Sequence, residues 1–474
     1  MDMLQVKGEQ IVDAQGKRVR LRGTCIGGWL NMENFIDGYP GAEHALREAF
    51  ARELGPERAR FFFERFLDHF FTEDDVKFLR GCGATVIRIP FSYKHVEQDA
   101  APFRYKDDGF ARIGRTLEWC RKHGLYVILD LHAVPGYQNP DWHCDNATNY
   151  ALFWQHPHFQ DRFVAIWEEF ARRYRGDPAV AGYNVMNEPV THRGANNRNP
   201  YTAPIASDWA ALNGLYARVV AAIRAIDPDH IIFLEGDDYS RLFSGLDKPF
   251  APNLVYSSHN YMGPGLGPGR YPAAGADRAR IEREFTGCEG FRFTQEHRVP
   301  LWVGEFGAVF NGPKEEIPDR LRGLDDQVAV MDAHGAHWTT WTYKDVGVMG
   351  WVAVAPDSDY IKTIQPVFDA KMKLHAEGWG WLPPSPITEA MERLDRVIVE
   401  VAGDASLAGA NRGMLAKATL STYVAGLLQT PYARCFKGLS EAQMDAALAS
   451  FSFARCRVNQ GQVDVLRKYF SQPA

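Results

Sequence analysis

The chain has 474 residues, 46% of them hydrophobic and 24% charged, with 53 Lys and Arg against 59 Asp and Glu. That balance excludes a largely disordered chain, and the lack of a basic block excludes a dedicated nucleic-acid binder. No apolar run reaches the roughly 18 residues that a membrane-spanning helix requires.

The opening MDMLQVKGEQIVDAQGKRVRLRG reads as folded structure, without the basic and apolar regions of a secretion signal. Seven cysteines (Cys25, Cys82, Cys120, Cys144, Cys288, Cys435 and Cys456) are odd in number and form no C-x-x-C pair. Reduced thiols and a cytoplasmic location are the expectation. A chain trimmed of a leader would carry the same pattern.

Short β-branched apolar runs alternate with longer amphipathic stretches. Eight strands are expected at residues 18–22, 84–90, 126–132, 180–189, 230–236, 254–261, 300–307 and 337–343. Runs such as Tyr126-Val-Ile-Leu-Asp-Leu-His132 are apolar on both faces, as parallel strands covered by helices must be.

Helices fit between the strands. Thr72 to Asp75 reads as a capping box ahead of residues 76–80. A helix over 112–122 stops at Gly124, and one over 159–174 stops near Gly176. Ser207 is the expected cap of a helix over 208–226, and a fifth helix covers 319–334. The alternation predicts an α/β protein with a (β/α)8 barrel over residues 1–380; the competing reading is an open doubly wound sheet.

Residues 31–71 form a long, partly helical insertion after strand 1. Residues 381–474 show no strand pattern and read as a C-terminal helical extension or a small helical domain. Trp379-Gly-Trp-Leu-Pro-Pro-Ser-Pro386 serves as a linker, and a second capping box stands at Ser440 to Gln443. No chemistry is visible in that tail, so it is either a skirt on the barrel or an interaction module.

Barrel active sites lie at the C-terminal ends of the strands. Those ends hold Arg88, Asp130-Leu-His132, Asn187-Glu188-Pro189, His259-Asn-Tyr261, Gly304-Glu305-Phe-Gly307 and Trp341. Glu188 and Glu305 stand out, because an apolar strand seldom ends on an uncompensated carboxylate. One such glutamate is commonly a salt-bridge partner. Two, on strands 4 and 7, face each other across the mouth, where a carboxylate pair can run glycoside hydrolysis. A separation near ~5 Å gives retention of configuration and ~6.5–9.5 Å gives inversion. Asp141, His143 and Asp145 lie close in sequence but match no strong metal-ligand spacing. Neither metal nor cofactor is expected. A metal-dependent barrel would need a histidine pair at strand 1, and there is none there.

With those motifs in order, the chain resembles glycoside hydrolase family 5, a family of retaining (β/α)8 enzymes, over roughly residues 8–380. The motifs that carry the resemblance also include Gly27-Gly28-Trp29-Leu30 and Ile87-Arg88-Ile89-Pro90. The resemblance implies Glu188 as acid/base and Glu305 as nucleophile. It implies that Asn187 contacts the sugar 2-hydroxyl and that Arg88 and Tyr261 hold Glu305. His132 and His259 would line the cleaved-sugar subsite, with Trp341 as its platform. The acid should then be held higher than the nucleophile in pKa.

The strand 1 and strand 3 segments are similar to exo-acting β-glucanase and β-glucosidase branches, which puts Glu33 at the non-reducing end. The match breaks at Pro140 to Asn146, in the insertion and in the tail. Long loops at 31–71, 133–150 and 262–275 are expected to wall a pocket. The implied partner is a carbohydrate or small β-glycoside, cleaved from its end as by a β-glucosidase. The alternatives are an endo-acting or disaccharide-specific enzyme of the same family, or a barrel that binds carbohydrate without cleaving it. Oligomeric state is left open.

Overall fold

Eight parallel strands close into a barrel in the computed structural model, which describes residues 1–192, 206–262, 269–377, 379–405 and 416–472. The strands are β1 (Arg22–Cys25), β2 (Val86–Ser92), β3 (Tyr126–Ala133), β4 (Val180–Asn184), β5 (Ile231–Glu235), β6 (Leu254–His259), β7 (Leu301–Glu305) and β8 (His337–Thr340). β8 pairs with both β7 and β1, which shuts the ring. The closed ring excludes the open doubly wound sheet.

The first strand lies four residues further on than its alternating pattern indicated. Arg20 and Arg22 instead pair with Asp332 at the base of the barrel, at 3.3 and 2.7 Å. The buried stretch is Arg22-Gly-Thr-Cys25, whose small residues give little apolar signal. A Cβ at Gly23 would stand 1.8 Å from the Val86 carbonyl oxygen, so close strand approach dictates glycine there. The expected fourth strand also ends early, at Asn184; residues 185–189 leave the ladder and carry Glu188 into the mouth.

Helices Glu73–Cys82, Asp107–His123, Pro157–Tyr174, Trp209–Ile226, Arg278–Gly287, Glu289–His297, Ile317–Ala333 and Asp359–Lys373 surround the barrel. The Thr72–Asp75 capping box forms, and Gly124 closes its helix with a φ of 71°. The cap of Trp209–Ile226 is Asp208 rather than Ser207, its carboxylate accepting from the Ala211 N–H at 3.1 Å.

The barrel interior is layered. Val86, Ile128, Ile231, Phe233, Val255 and Trp302 fill the lower half, with Leu4 and Ile11 of the N-terminal hairpin beneath. Arg88 lies over the Trp302 ring, 5.5 Å from its centroid, and above that level the interior is charged.

The insertion and the tail pack on each other. Phe50 and Phe62, in helices Glu43–Leu54 and Pro56–Phe70, meet Phe436 at 5.6 and 4.8 Å, and Phe70 stacks on Phe451 at 5.5 Å. Gln429 donates to the carbonyls of Pro40 and Ala42. The tail is not strandless: Cys456–Val458 pairs antiparallel with Val352–Val354. Three residues are too few to show a period. Phe470 of the last helix stacks on Trp338 of β8 at 5.4 Å.

Candidate active site

The charged layer is built around Arg88. Its side chain is fully buried and reaches Glu305 Oε1 at 2.6 Å, Asp130 Oδ2 at 3.1 Å and Glu235 Oε1 at 3.3 Å. It also donates to Asn184 Oδ1 at 2.9 Å and Asn187 Oδ1 at 2.8 Å. A buried guanidinium is tolerable only with this saturation by acceptors. Tyr261 donates its hydroxyl to the second Glu305 oxygen at 2.9 Å, so the carboxylate is held at both ends.

Glu188 leaves β4 with a φ of 46°, in the left-handed region. Such backbone gathers at functional sites. Here Glu235 anchors it, accepting from the Glu188 N–H at 2.8 Å. The side chain meets His259 Nδ1 at 2.7 Å through Oε1 and His143 Nε2 at 3.4 Å through Oε2. Carboxylate oxygens of Glu188 and Glu305 lie within 4.8 Å of one another.

On the other side of Glu305, His132 Nδ1 meets Asp130 at 2.8 Å and His132 Nε2 meets Glu33 at 3.3 Å. Trp341 lies flat against His132, 5.3 Å between centroids and 7° between planes. A Cβ at Gly27 would stand 2.8 Å from the Trp341 ring, which gives the Gly27-Gly28-Trp29 motif a steric reason.

Glu33, His132, Glu188, His259, Tyr261, Glu305 and Trp341 line one cavity of about 820 Å³. Arg88 and Asn187 lie beneath it and touch the lining residues. The cavity also recruits Phe35, Trp142, His143, Tyr239, Trp379 and Ser421. Ser421 belongs to the tail, in which the sequence had shown no chemistry. Of the expected walls, 31–71 contributes Glu33 and Phe35, and 133–150 contributes Asp141, Trp142 and His143. The 262–275 segment contributes Met262, and residues 263–268 of it lie outside the described residues.

Asp141, His143 and Asp145 diverge. Asp145 accepts from Lys94 at 2.6 Å and contacts His44, while Asp141 accepts from Tyr239 at 2.7 Å.

Burial pushes the Glu33 carboxyl up to about 7, against the opposing hydrogen bond to His132. Burial alone would lower His132, but Asp130 and Glu33 outweigh it and raise the imidazole to about 10. Glu188 departs from expectation. Burial pushes it up, yet the hydrogen bond and charge of His259 outweigh that and bring it down to about 2. His259 is held well above the ordinary imidazole range; the charges of Glu305 and Glu235 and its bond to Glu188 overcome its own burial. The two groups titrate as a pair that keeps one proton through neutral pH.

Sequence reasoning missed Glu235 and Asn184, which fix Arg88 and the Glu188 backbone. Glu235 ends an apolar strand, the same signal that singled out Glu188 and Glu305. His143 had been weighed only as a metal ligand.

Two facing carboxylates this close, at the C-terminal ends of β4 and β7 of one barrel, are the equipment of a glycoside hydrolase that works by double displacement. The sequence comparisons agree: the profile of the cellulase family (glycosyl hydrolase family 5) matches residues 62–347. The chain is 37% identical to a β-xylosidase of Phanerodontia chrysosporium, with 98% of each chain covered. It is 24% identical to endoglucanase C of Acetivibrio thermocellus over 60% of this chain and 87% of that one. The fold matches that of an endogalactoceramidase crystal structure with a TM-score of 0.52 at 20% identity, covering 73% of this chain and 75% of that one. The chain belongs to glycoside hydrolase family 5.

Proposed function

We propose that this hydrolase removes a terminal β-linked sugar from a small glycoside or oligosaccharide, with Glu305 as nucleophile and Glu188 as acid/base. The observation that carries the reading is the shape of the cavity. One end is buried: Glu33 and Phe35 are each 3% exposed, Ser421 is 5% exposed, and Trp142 and Trp379 stand beside them. The other end reaches Arg241 and Arg292 at the surface. A sugar held at that buried end would be the terminal unit, with the leaving group pointing out past Glu188.

In the first step Glu305 attacks the anomeric carbon and the glycosidic bond breaks, the leaving oxygen taking the proton supplied by Glu188. Arg88 and Tyr261 hold the two oxygens of Glu305 and orient the carboxylate for attack. Water, deprotonated by Glu188, then displaces Glu305 from the glycosyl-enzyme ester. Asn187, held by Arg88, serves the 2-hydroxyl. His132, Glu33 and Trp341 bind the remaining faces of the sugar.

Similarity to the β-xylosidase runs through the insertion and the tail that wall the closed end, whereas the endoglucanase covers 60% of the chain. That favours a pentose or hexose monoglycoside over an internal position in a polymer. All seven cysteines are free thiols, which supports a cytoplasmic setting, and no helix among the described residues is long and apolar enough to cross a membrane. The test is turnover on a panel of p-nitrophenyl β-glycosides beside short β-glucans and β-xylans. Release from one monosaccharide glycoside, lost in Glu305→Ala, is expected; activity confined to longer chains would replace this reading with endo action.

A further inference from the structure

Glu188 stands between two peptide planes, and each is held from outside its own strand. The plane that joins Asn187 to Glu188 is caught at both ends. Gln138 Nε2 donates to the Asn187 carbonyl at 2.8 Å, and the Glu188 N–H donates to Glu235 at 2.8 Å. The plane that joins Glu188 to Pro189 has no N–H, because proline lacks one. Its single polar handle is the Glu188 carbonyl, and Asn139 Nδ2 donates to it at 3.0 Å. Such a hold is needed there. A residue ahead of proline prefers extended backbone, and Glu188 has a φ of 46°.

Both amides are committed to these bonds. Gln138 Oε1 accepts from the Val134 N–H at 3.2 Å, which turns Nε2 towards the carbonyls of His132, at 2.6 Å, and Asn187. Asn139 Oδ1 accepts from the Asp141 N–H at 3.0 Å, which turns Nδ2 towards Glu188 and, with its second hydrogen, His143 Nε2 at 2.8 Å. Each side chain thus accepts through its oxygen and donates both amide hydrogens. Gln138 and Asn139 are wholly buried.

We propose that Gln138 and Asn139 are positioning residues that set the bend on which the acid/base stands. Asn139 aims Glu188, and Gln138 keeps Asn187 in register with His132. The proposal rests on the reading of Glu188 as the acid/base. Neither amide lines the cavity, so both act through the residues they hold. Proton transfer requires the carboxyl within hydrogen-bond reach of the leaving oxygen, and rotation of the plane after Glu188 carries it away.

The loop that supplies the two amides is tied by other bonds. Asn146 Nδ2 donates to the Asn139 carbonyl at 2.9 Å. Trp154 Nε1 and the Val190 N–H both donate to the Gln138 carbonyl, at 2.8 and 3.1 Å. Loss of the Asn139 amide therefore frees the Glu188 carbonyl while the main chain of the loop stays anchored.

The test is kcat/KM of Asn139→Leu, which keeps the branched shape and removes the donor, on alkyl and dinitrophenyl glycosides. An alkoxide needs acid assistance to leave and a dinitrophenolate needs little. The alkyl glycoside should lose about a hundredfold and the dinitrophenyl glycoside less than about threefold. Equal losses on both would mark a general structural defect and overturn the proposal. Asn139→Ser, whose hydroxyl is one atom shorter than the amide, runs the same comparison if Asn139→Leu does not fold. Gln138→Met should lose about tenfold on both leaving groups, and that loss should shrink on 2-deoxy glycosides, where Asn187 has no hydroxyl to meet. An undiminished loss there overturns the role of Gln138.

A double-mutant cycle gives a second check. In Glu188→Ala there is no carboxyl to aim, so adding Asn139→Leu should leave turnover of a p-nitrophenyl glycoside unchanged. A further loss as large as in the wild-type background overturns the proposal. Glu188→Ala alone separates the two levels. If it leaves the leaving-group dependence unchanged, the acid/base reading itself fails; if it does not, only the roles of Asn139 and Gln138 are at stake.

Discussion

Arg88 donates through Nη1 to Glu305 Oε1 across 2.6 Å, with the guanidinium wholly buried and the carboxylate nearly so. The same guanidinium faces Asp130 and Glu235. Removing it would leave three carboxylates without their shared cation. Arg88→Ala should therefore cost about 3–5 kcal/mol of stability and abolish most turnover. Arg88→Lys keeps the charge but not the fork that reaches Glu305, Asn184 and Asn187 together. It should fold and retain little activity. Denaturant unfolding of both variants beside their kcat values checks this.

The insertion and the tail share an aromatic seam in which Phe436 meets Phe50, Phe62 and Tyr432. Phe436→Ala should destabilise the protein by about 3–5 kcal/mol. Removal of residues 384–474 should do more, exposing Phe50, Phe62, Phe66 and Phe70 and taking Ser421 from the cavity wall. Soluble yield and thermal unfolding would show it. A truncated chain that is soluble and fully active would mean that the tail is a separate module.

Glu33 couples stability to pH. Its folded pKa of about 7 lies above the ordinary carboxyl value of 4.5, so the folded state holds the proton more tightly than the unfolded chain. Its contribution to stability is then complete below about pH 4.5 and is lost as pH rises through 7. Glu33→Gln should flatten the fall of Tm between pH 5 and about 7.5, and calorimetry across that range measures the difference. An unchanged slope would place the titration elsewhere.

Trp142 and Ser421 line the catalytic cavity and also a neighbouring groove of about 420 Å³ that holds Tyr423 and Leu427. The indole of Trp142 packs edge-on to Phe35 at 6.0 Å. Trp142→Ala should join the two spaces and raise turnover of aryl disaccharide glycosides relative to aryl monosaccharide glycosides severalfold. An unchanged ratio would show that the closed end is set by other residues.

Much of this was legible in the sequence because strand ends carry their own chemistry. Glu188, Glu305, Arg88 and the two histidines follow apolar runs whose burial leaves no other reason for polar groups. The shape of the pocket was not legible. Trp379 and Ser421 come from segments more than 70 residues beyond the last-but-one strand, and their arrival depends on how the tail docks on the insertion. β1 escaped its exact register because glycine and threonine carry no hydrophobic period.

The central claim is that Glu305 forms a covalent glycosyl intermediate opposite Glu188, and the stereochemical course of hydrolysis tests it most directly. Proton NMR of the sugar released from a β-glycoside, followed from the first turnover, reads that course. The β-anomer should appear first and then equilibrate by mutarotation. Release of the α-anomer first would show a single displacement by water and contradict the account.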